Sequence, residues 1–154
     1  MAVQAQPMRM FKLRIWTALM TLVLAWIPAS FAADNVQVIV NSATAMRDLS
    51  RTSLRAIFSM RMKQFPDGTP VTVFVLPDRD ERHRAFCKEA LQVYPYVLRD
   101  TWDRMVFTGT GQTPIEVATQ EEMIKRVAAT RGGIGYISQE GRGSYERIRI
   151  LEIY

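Results

Sequence analysis

The chain has 154 residues, of which 48% are hydrophobic and 23% are charged, as in an average globular protein. This composition excludes a disordered, a collagenous or a polytopic membrane protein. The single Cys excludes a fold held together by disulfides and a structural zinc site built from cysteines.

The first 32 residues have the three-part layout of a secretory signal peptide. Three basic residues lie between positions 9 and 14, the run 15–27 is uncharged and apolar, and Ala32 ends a small-residue cleavage site. A transmembrane anchor is the alternative, but the run is shorter than the roughly 20 residues that a membrane-spanning helix needs. We therefore predict export to the periplasm, with a signal peptide over 1–32 and a domain over 33–154 that has no membrane span.

Removal of this segment lowers the net charge. Of the 20 Lys and Arg residues 17 remain against 15 Asp and Glu, so the charge falls from +5 to +2. A nucleic-acid-binding role loses its main support with that change. The 122 remaining residues suffice for one domain with a modest core. Cys87 has no partner in the chain, and we expect it to be buried as a small hydrophobic residue.

The first half of this domain alternates strands with an amphipathic helix. Residues 36–40 are mostly β-branched and predict a strand. Ser50 is placed to cap a helix. The continuous apolar run at 71–76 is typical of a strand that is covered on both faces. The helix that Ser50 caps has an inner apolar stripe, which consists of Leu54, Ile57 and Phe58.

The second half predicts three more helices and two strands. Asp78 or Asp80 can cap the first of these helices, Pro95 fits the first turn of the second, and Thr119 with Glu122 forms a capping box before the third. The strands are predicted at 134–137 and 147–154, the last of them at an edge of the sheet. The inner stripes consist of Phe86, Cys87, Ala90 and Leu91, of Leu98, Trp102, Met105 and Val106, and of Met123, Ile124, Val127 and Ala128. The alternation predicts an α/β fold with a small mixed sheet flanked by helices.

Four segments follow one another in a distinctive order. They are LRAIF at 54–58, FPDGTPV at 65–71, WDRMVFTGTG at 102–111 and GGIGYI at 132–137. Together they resemble the short, single-lobe relatives of the phosphate-binding proteins of ABC importers. The resemblance implies one lobe of a type 2 periplasmic binding protein-like fold and a role in solute binding.

Candidate ligand-binding residues follow from the geometry of open sheets, which bind ligands beyond the carboxyl ends of their strands. Helix N-termini at that edge attract anions. The polar residues after the strand at 36–40 and the loop after the strand at 71–76 are two such places, and Thr108 and Gly109 of the Gly-rich loop at 108–114 are added as candidates. The predicted ligand-binding residues are Asn41, Ser42, Thr44, Arg79, Arg82, Thr108 and Gly109.

One departure from the family bears on the ligand. The resemblance implies a Ser-Gly-Thr start to the helix that holds phosphate, whereas this chain has Asp80, Glu81 and Arg82 there. Carboxylates at this position would occupy or repel an anion. A single lobe also leaves one side of a bound oxyanion open to water, so a homodimer or an envelope protein would have to supply the other wall.

Catalysis has little support in the sequence. His83 and Cys87 lie one helical turn apart, but a surface His above a buried Cys is the simpler interpretation. We predict no catalytic residue, no metal and no cofactor. Two functions stay open. The first is an exported solute-binding protein that holds phosphate or a similar oxyanion for ABC-type transport. The second is an envelope interaction or sensing module without a small ligand.

Overall fold

A computed structural model describes residues 36–139 and 146–154. The predicted signal peptide at 1–32 therefore lies outside the described residues. Within the described ranges, no helix is long and apolar enough to cross a membrane.

The fold is a six-stranded sheet flanked by helices, with the strand order β2-β6-β1-β5-β3-β4. The strands are β1 (Val36–Asn41), β2 (Asp48–Leu49), β3 (Thr72–Val75), β4 (Ile115–Glu116), β5 (Gly133–Ser138) and β6 (Ile148–Ile153). The helices are α1 (Arg51–Phe58), α2 (Glu81–Phe86), α3 (Pro95–Phe107) and α4 (Gln120–Ala129), and one π-helical turn (Cys87–Leu91) continues α2. The predicted α/β class with a mixed sheet is confirmed.

Strand direction decides which loops can meet. β1 runs antiparallel to β5, with Val40 opposite Ile134, whereas β3 runs parallel to β5, with Thr72 opposite Gly133. The carboxyl ends of β1 and β3 therefore lie at opposite ends of the sheet. Side chains that follow these two strands cannot form one site.

The last strand is not at an edge, so that prediction is wrong. β6 pairs antiparallel with β1 on one side and parallel with the two-residue β2 on the other. A strand as short as Asp48–Leu49 leaves no periodic pattern in the sequence, which is why the neighbour of β6 could not be foreseen.

The helix starts agree with the sequence. The side chains of Ser50, Asp80 and Thr119 each accept a hydrogen bond from a backbone N–H in the first turn of the following helix. In the predicted capping box, the Glu122 carboxylate reaches back to the N–H of Ala118 at 2.9 Å rather than to that of Thr119. These bonds satisfy N–H groups that the helices themselves leave unpaired.

Aromatic residues fill the core between α1, α2, α3 and β5. The rings of Phe86 and Tyr136 stack with centres 4.0 Å apart, and Trp102 donates its indole N–H to the carbonyl of Phe58 at 2.8 Å. On α3, Leu98 and Trp102 are buried as predicted, but Val106 is 52% exposed. The inner stripe therefore ends at the half-buried Met105, because the last turn of α3 extends beyond the core.

Candidate functional site

A charged and aromatic cluster lies at the carboxyl end of β3. Asp78 follows this strand, and its carboxylate accepts two hydrogen bonds from Arg99 of α3, from Nε and from Nη2, both at 2.8 Å. The guanidinium carbon of Arg99 lies 5.1 Å from the centre of the Trp102 ring, within the range of a cation–π contact. The paired charges lower the pKa of Asp78 and raise that of Arg99, chiefly through these hydrogen bonds.

His83 lies beneath this ion pair and is fully buried. Its Nδ1 is 2.6 Å from the hydroxyl oxygen of Tyr136, which also accepts the N–H of Leu76 at 2.9 Å. Burial raises the pKa of Tyr136, so the phenol is protonated at neutral pH. The other ring nitrogen, Nε2, lies 3.6 Å from Asp78 Oδ1. Burial also lowers the pKa of His83 and is the main cause of this shift, so the ring is neutral at neutral pH.

Cys87 packs against the same imidazole without becoming a nucleophile. Its Sγ lies 3.5 Å from His83 Nε2, and its predicted burial is confirmed. Burial raises the pKa of this thiol to about 12, so it stays protonated at neutral pH. The interpretation of His83 as a surface residue is wrong. His83 precedes Phe86 by three residues and Cys87 by four, and this spacing already places it on the buried stripe of α2.

The start of α2 is occupied by the chain's own carboxylate. Asp80 Oδ1 accepts the N–H of Arg82 and also its Nε, both at 2.9 Å, and Asp80 Oδ2 accepts Nη2 at 2.7 Å. The Arg82 hydrogen bonds lower the pKa of Asp80, which is therefore charged at neutral pH. A negative group thus stands where the resemblance places phosphate. Arg79 is exposed beside this turn, and no ion pair is recorded for it within the described ranges.

Of the predicted residues after β1, Asn41 contacts the end of a helix. The side-chain amide of Asn41 donates to the carbonyls of Val127 and Ala128 at 3.0 and 2.9 Å, in the last turn of α4. Thr44 is 1% exposed, whereas Ser42 is exposed. Because β1 and β3 run in opposite directions, this group lies at the other end of the sheet from Arg79 and Arg82.

Thr108 and Gly109 form a third, separate place at the end of α3. The Thr108 hydroxyl donates to the carbonyl of Arg104 at 2.9 Å, and Gly109 has a φ of +68°. Gly109 lines an open depression of about 530 Å³ together with Lys63 and Val71. Val71 precedes β3, so this depression lies at the amino end of that strand, away from Asp78. The seven predicted residues therefore fall into three separate groups.

The cluster at Asp78 contains residues that sequence reasoning did not select for function. Arg99 and Tyr136 come from segments far along the chain, and no local pattern links them to Asp78. Within the described residues, no three His, Cys, Asp or Glu side chains are arranged to hold a metal ion. The guanidinium of Arg99, the cation of this cluster, is therefore already bound by the carboxylate of Asp78.

The exposed side of α3 carries large apolar side chains. Phe107 is 92% exposed, and Val97 and Tyr96 are 40% and 63% exposed. The ring of Tyr96 stacks on that of Tyr94 with centres 5.7 Å apart. These exposed side chains are candidates for a protein contact.

Solved structures of phosphate-transport proteins share this fold. An ABC-type phosphate transport receptor from Vibrio cholerae aligns with a TM-score of 0.59 at 13% identity, over 77% of this chain and 45% of that one. A putative phosphate ABC transporter substrate-binding protein from Clostridium perfringens, solved with bound phosphate, aligns with a TM-score of 0.59 at 12% identity, over 77% and 44%. PstS from Borrelia burgdorferi aligns with a TM-score of 0.55 at 13% identity, over 77% and 46%.

These alignments establish the fold that the resemblance implied, that of periplasmic substrate-binding proteins. The chain spans less than half the length of each of these three structures. No family model matches the chain, and no curated protein matches its sequence.

Proposed function

We propose that this domain is an exported protein-binding module of the cell envelope, built on a single lobe of a substrate-binding protein fold. In this proposal it does not act by holding free phosphate or a similar oxyanion, and it is not an enzyme. The observation that carries the proposal is the occupied start of α2. There the carboxylate of Asp80 takes both the helix N–H and the guanidinium of Arg82.

A second carboxylate holds another cation of this region. Asp78 holds Arg99 through two hydrogen bonds, so an incoming oxyanion would have to displace an anion that is already bound and partly shielded from water. The two side chains are 34% and 39% exposed, so this ion pair contributes about 1 kcal/mol or less. A free oxyanion that meets water on one side gains too little to replace it.

The exposed face of α3 supports the proposed protein-binding role. It presents Phe107, Val97 and Tyr96 to solvent, whereas the core stripe of the same helix is buried. Periplasmic localisation rests on the N-terminal sequence, and the boundary between signal peptide and domain after Ala32 is part of this proposal.

Oxyanion binding for ABC-type transport is the second candidate. It is favoured by the exposed Arg79 beside α2, for which no ion pair is recorded within the described ranges, and by the fold shared with phosphate-transport proteins. In that case a homodimer or an envelope partner would supply the missing wall.

Titration calorimetry with inorganic phosphate separates the two candidates. We expect no binding heat for the wild-type protein at millimolar phosphate. Asp80→Ser keeps a capping oxygen but removes the charge, so we expect this variant to gain measurable phosphate binding. Asp67→Ser, in an exposed turn, is the matched control and should gain none. Submillimolar phosphate binding by the wild-type protein would show that the proposal is wrong.

Photo-crosslinking in intact cells tests the protein-binding role. The full chain is expressed with p-benzoylphenylalanine in place of Phe107, and with the same group in place of Lys125 on α4 as the control position. We expect covalent adducts to protein at position 107 and far fewer at position 125. Absence of any protein adduct at position 107 would contradict the proposed role.

A further inference from the structure

The outer face of α3 carries a self-complementary pattern of side chains. Val97, Asp100, Arg104 and Phe107 follow one another at spacings of three, four and three residues, which place them on one side of an α-helix. All four are exposed. From the amino end to the carboxyl end, this face reads apolar, acidic, basic, apolar.

The two charges of this face are unpaired within the described part of the chain. No ion pair joins Asp100 or Arg104 to another described residue, although Arg99, next to Asp100 in the sequence, is held by Asp78 at 2.8 Å. The face therefore presents one available carboxylate and one available guanidinium, a helical turn apart.

A second copy of the same helix satisfies this pattern in one register. When two copies of α3 run antiparallel about a two-fold axis at the level of Trp102, Asp100 lies opposite Arg104 and Val97 lies opposite Phe107. The two-fold axis repeats both pairings, so each copy contributes two ion-pair groups and two apolar groups. A parallel pairing would instead set like charges against each other.

The shape of the surface agrees with this register. Beside Val97 lies an open depression of about 330 Å³, which is also lined by Asp100 and Arg104 of the same face and by Thr101, Met105 and Arg61. Phe107 protrudes from the same helix and is 92% exposed. In the antiparallel register the Phe107 ring of each copy lies opposite Val97, at one end of the depression of the other copy.

We propose that two copies of this protein associate through α3, in an antiparallel homodimer in which Asp100 pairs with Arg104 and Phe107 fills the depression beside Val97. This inference rests on the proposed function, because it identifies the bound protein as a second copy. One pair of helices of this length forms a small interface, so the dimer is reversible and depends on concentration.

Sedimentation equilibrium in low salt tests the charge pairing. The protein is recovered after expression of the full chain and is compared with the variants D100R, R104D and D100R/R104D. Each single variant places two like-charge pairs across the interface, so we expect its dimer dissociation constant to rise at least tenfold. The double variant exchanges the charges and should restore dimerisation. K125E, an exposed charge reversal on α4, should leave the constant unchanged.

Circular dichroism confirms that each variant is folded, and the double variant separates a lost contact from a damaged fold. A wild-type protein that stays monomeric up to millimolar concentration would overturn the inference. So would single variants that dimerise like the wild type, or a double variant that stays as weak as the single ones.

The crosslinking at position 107 distinguishes failure of the dimer from failure of the proposed function. An adduct of two copies of the chain supports the dimer. Adducts that contain only other proteins overturn the dimer but leave the protein-binding role intact. Absence of any adduct overturns both.

Discussion

At the scale of single residues, His83 links the core of the domain to its surface charges. Its imidazole contacts Tyr136 on one side and Cys87 on the other, and Asp78 is the nearest carboxylate. Arg99 and Asp80 are the remaining charged groups that act on it. Because burial outweighs the attraction of the carboxylates, the folded state prefers the neutral ring.

This preference predicts a pH dependence of stability. The lowered pKa means that the unfolded chain takes up a proton near pH 6.5 while the folded chain does not. The free energy of unfolding should therefore fall as the pH drops below 6.5, by at most about 1.4 kcal/mol per pH unit. Urea denaturation of the untagged protein at several pH values between 7.5 and 5 measures this free energy of unfolding.

The chain contains a single His, which makes the assignment testable. In the variant His83→Gln the dependence between pH 6.5 and 5 should disappear, whatever the overall stability. Asp78 and Asp80 have lowered pKa values, so their contributions are lost only below about pH 4. If the free energy of unfolding of His83→Gln still fell between pH 6.5 and 5, another group would be responsible for the pH dependence.

At the scale of elements, Asn41 joins β1 to α4. Its side-chain amide donates to the carbonyls of Val127 and Ala128, and its Oδ1 accepts the N–H of Ala43 at 2.9 Å. This residue was predicted to bind a ligand because it is polar and follows a strand. In the structure its side chain binds the carbonyls of Val127 and Ala128 at the end of α4, and the Val127 carbonyl also accepts the N–H of Thr130.

Removal of this side chain should therefore lower stability. We expect Asn41→Ala to reduce the free energy of unfolding by about 2 kcal/mol, because the carbonyls of Val127 and Ala128 and the N–H of Ala43 each lose a hydrogen-bond partner. Ser42→Ala is the matched control on the neighbouring exposed residue and should change stability by less than about 0.5 kcal/mol. Chemical denaturation measures both values, and equal effects of the two substitutions would contradict the structural role of Asn41.

At the scale of the whole molecule, the sheet depends on its last strand. β6 lies between β1 and β2, and its Leu151 belongs to the core. Loss of β6 would expose the edge of β1 and isolate β2. The end of the chain is therefore as important for folding as its middle.

Deletion of residues 148–154 should abolish cooperative unfolding. A chain that begins at Ala33 should keep it, because residues 33–154 form one compact unit. Thermal unfolding followed by circular dichroism compares the two shortened chains. A sharp transition in the chain without β6 would show that this strand is dispensable.

Local patterns were enough to find most elements. Ser50, Asp80 and Thr119 cap helices as predicted, and the apolar run at 71–76 contains β3. These features were predictable because a cap or a strand depends on residues within a few positions of one another. The order of the four family-like segments also indicated the fold that the solved structures share.

The candidate site was predictable only in part. Asp78 and Asp80 were expected at the start of α2, and Asp80 indeed caps it. The pairing of Asp78 with Arg99 spans 21 positions, and the bond between His83 and Tyr136 spans 53. Neither contact leaves a mark in any short window of the chain, so these hydrogen bonds could not be foreseen.

The sequence by itself determined the α/β class, the helix starts and the presence of carboxylates in place of a Ser-Gly-Thr start, because each depends on residue type and short spacing. Only the tertiary structure decided that β1 runs against β3, that β6 lies inside the sheet and that the seven predicted residues lie apart. Strand direction and order are settled by which faces must be buried together. That balance is a property of the whole core and not of any one segment.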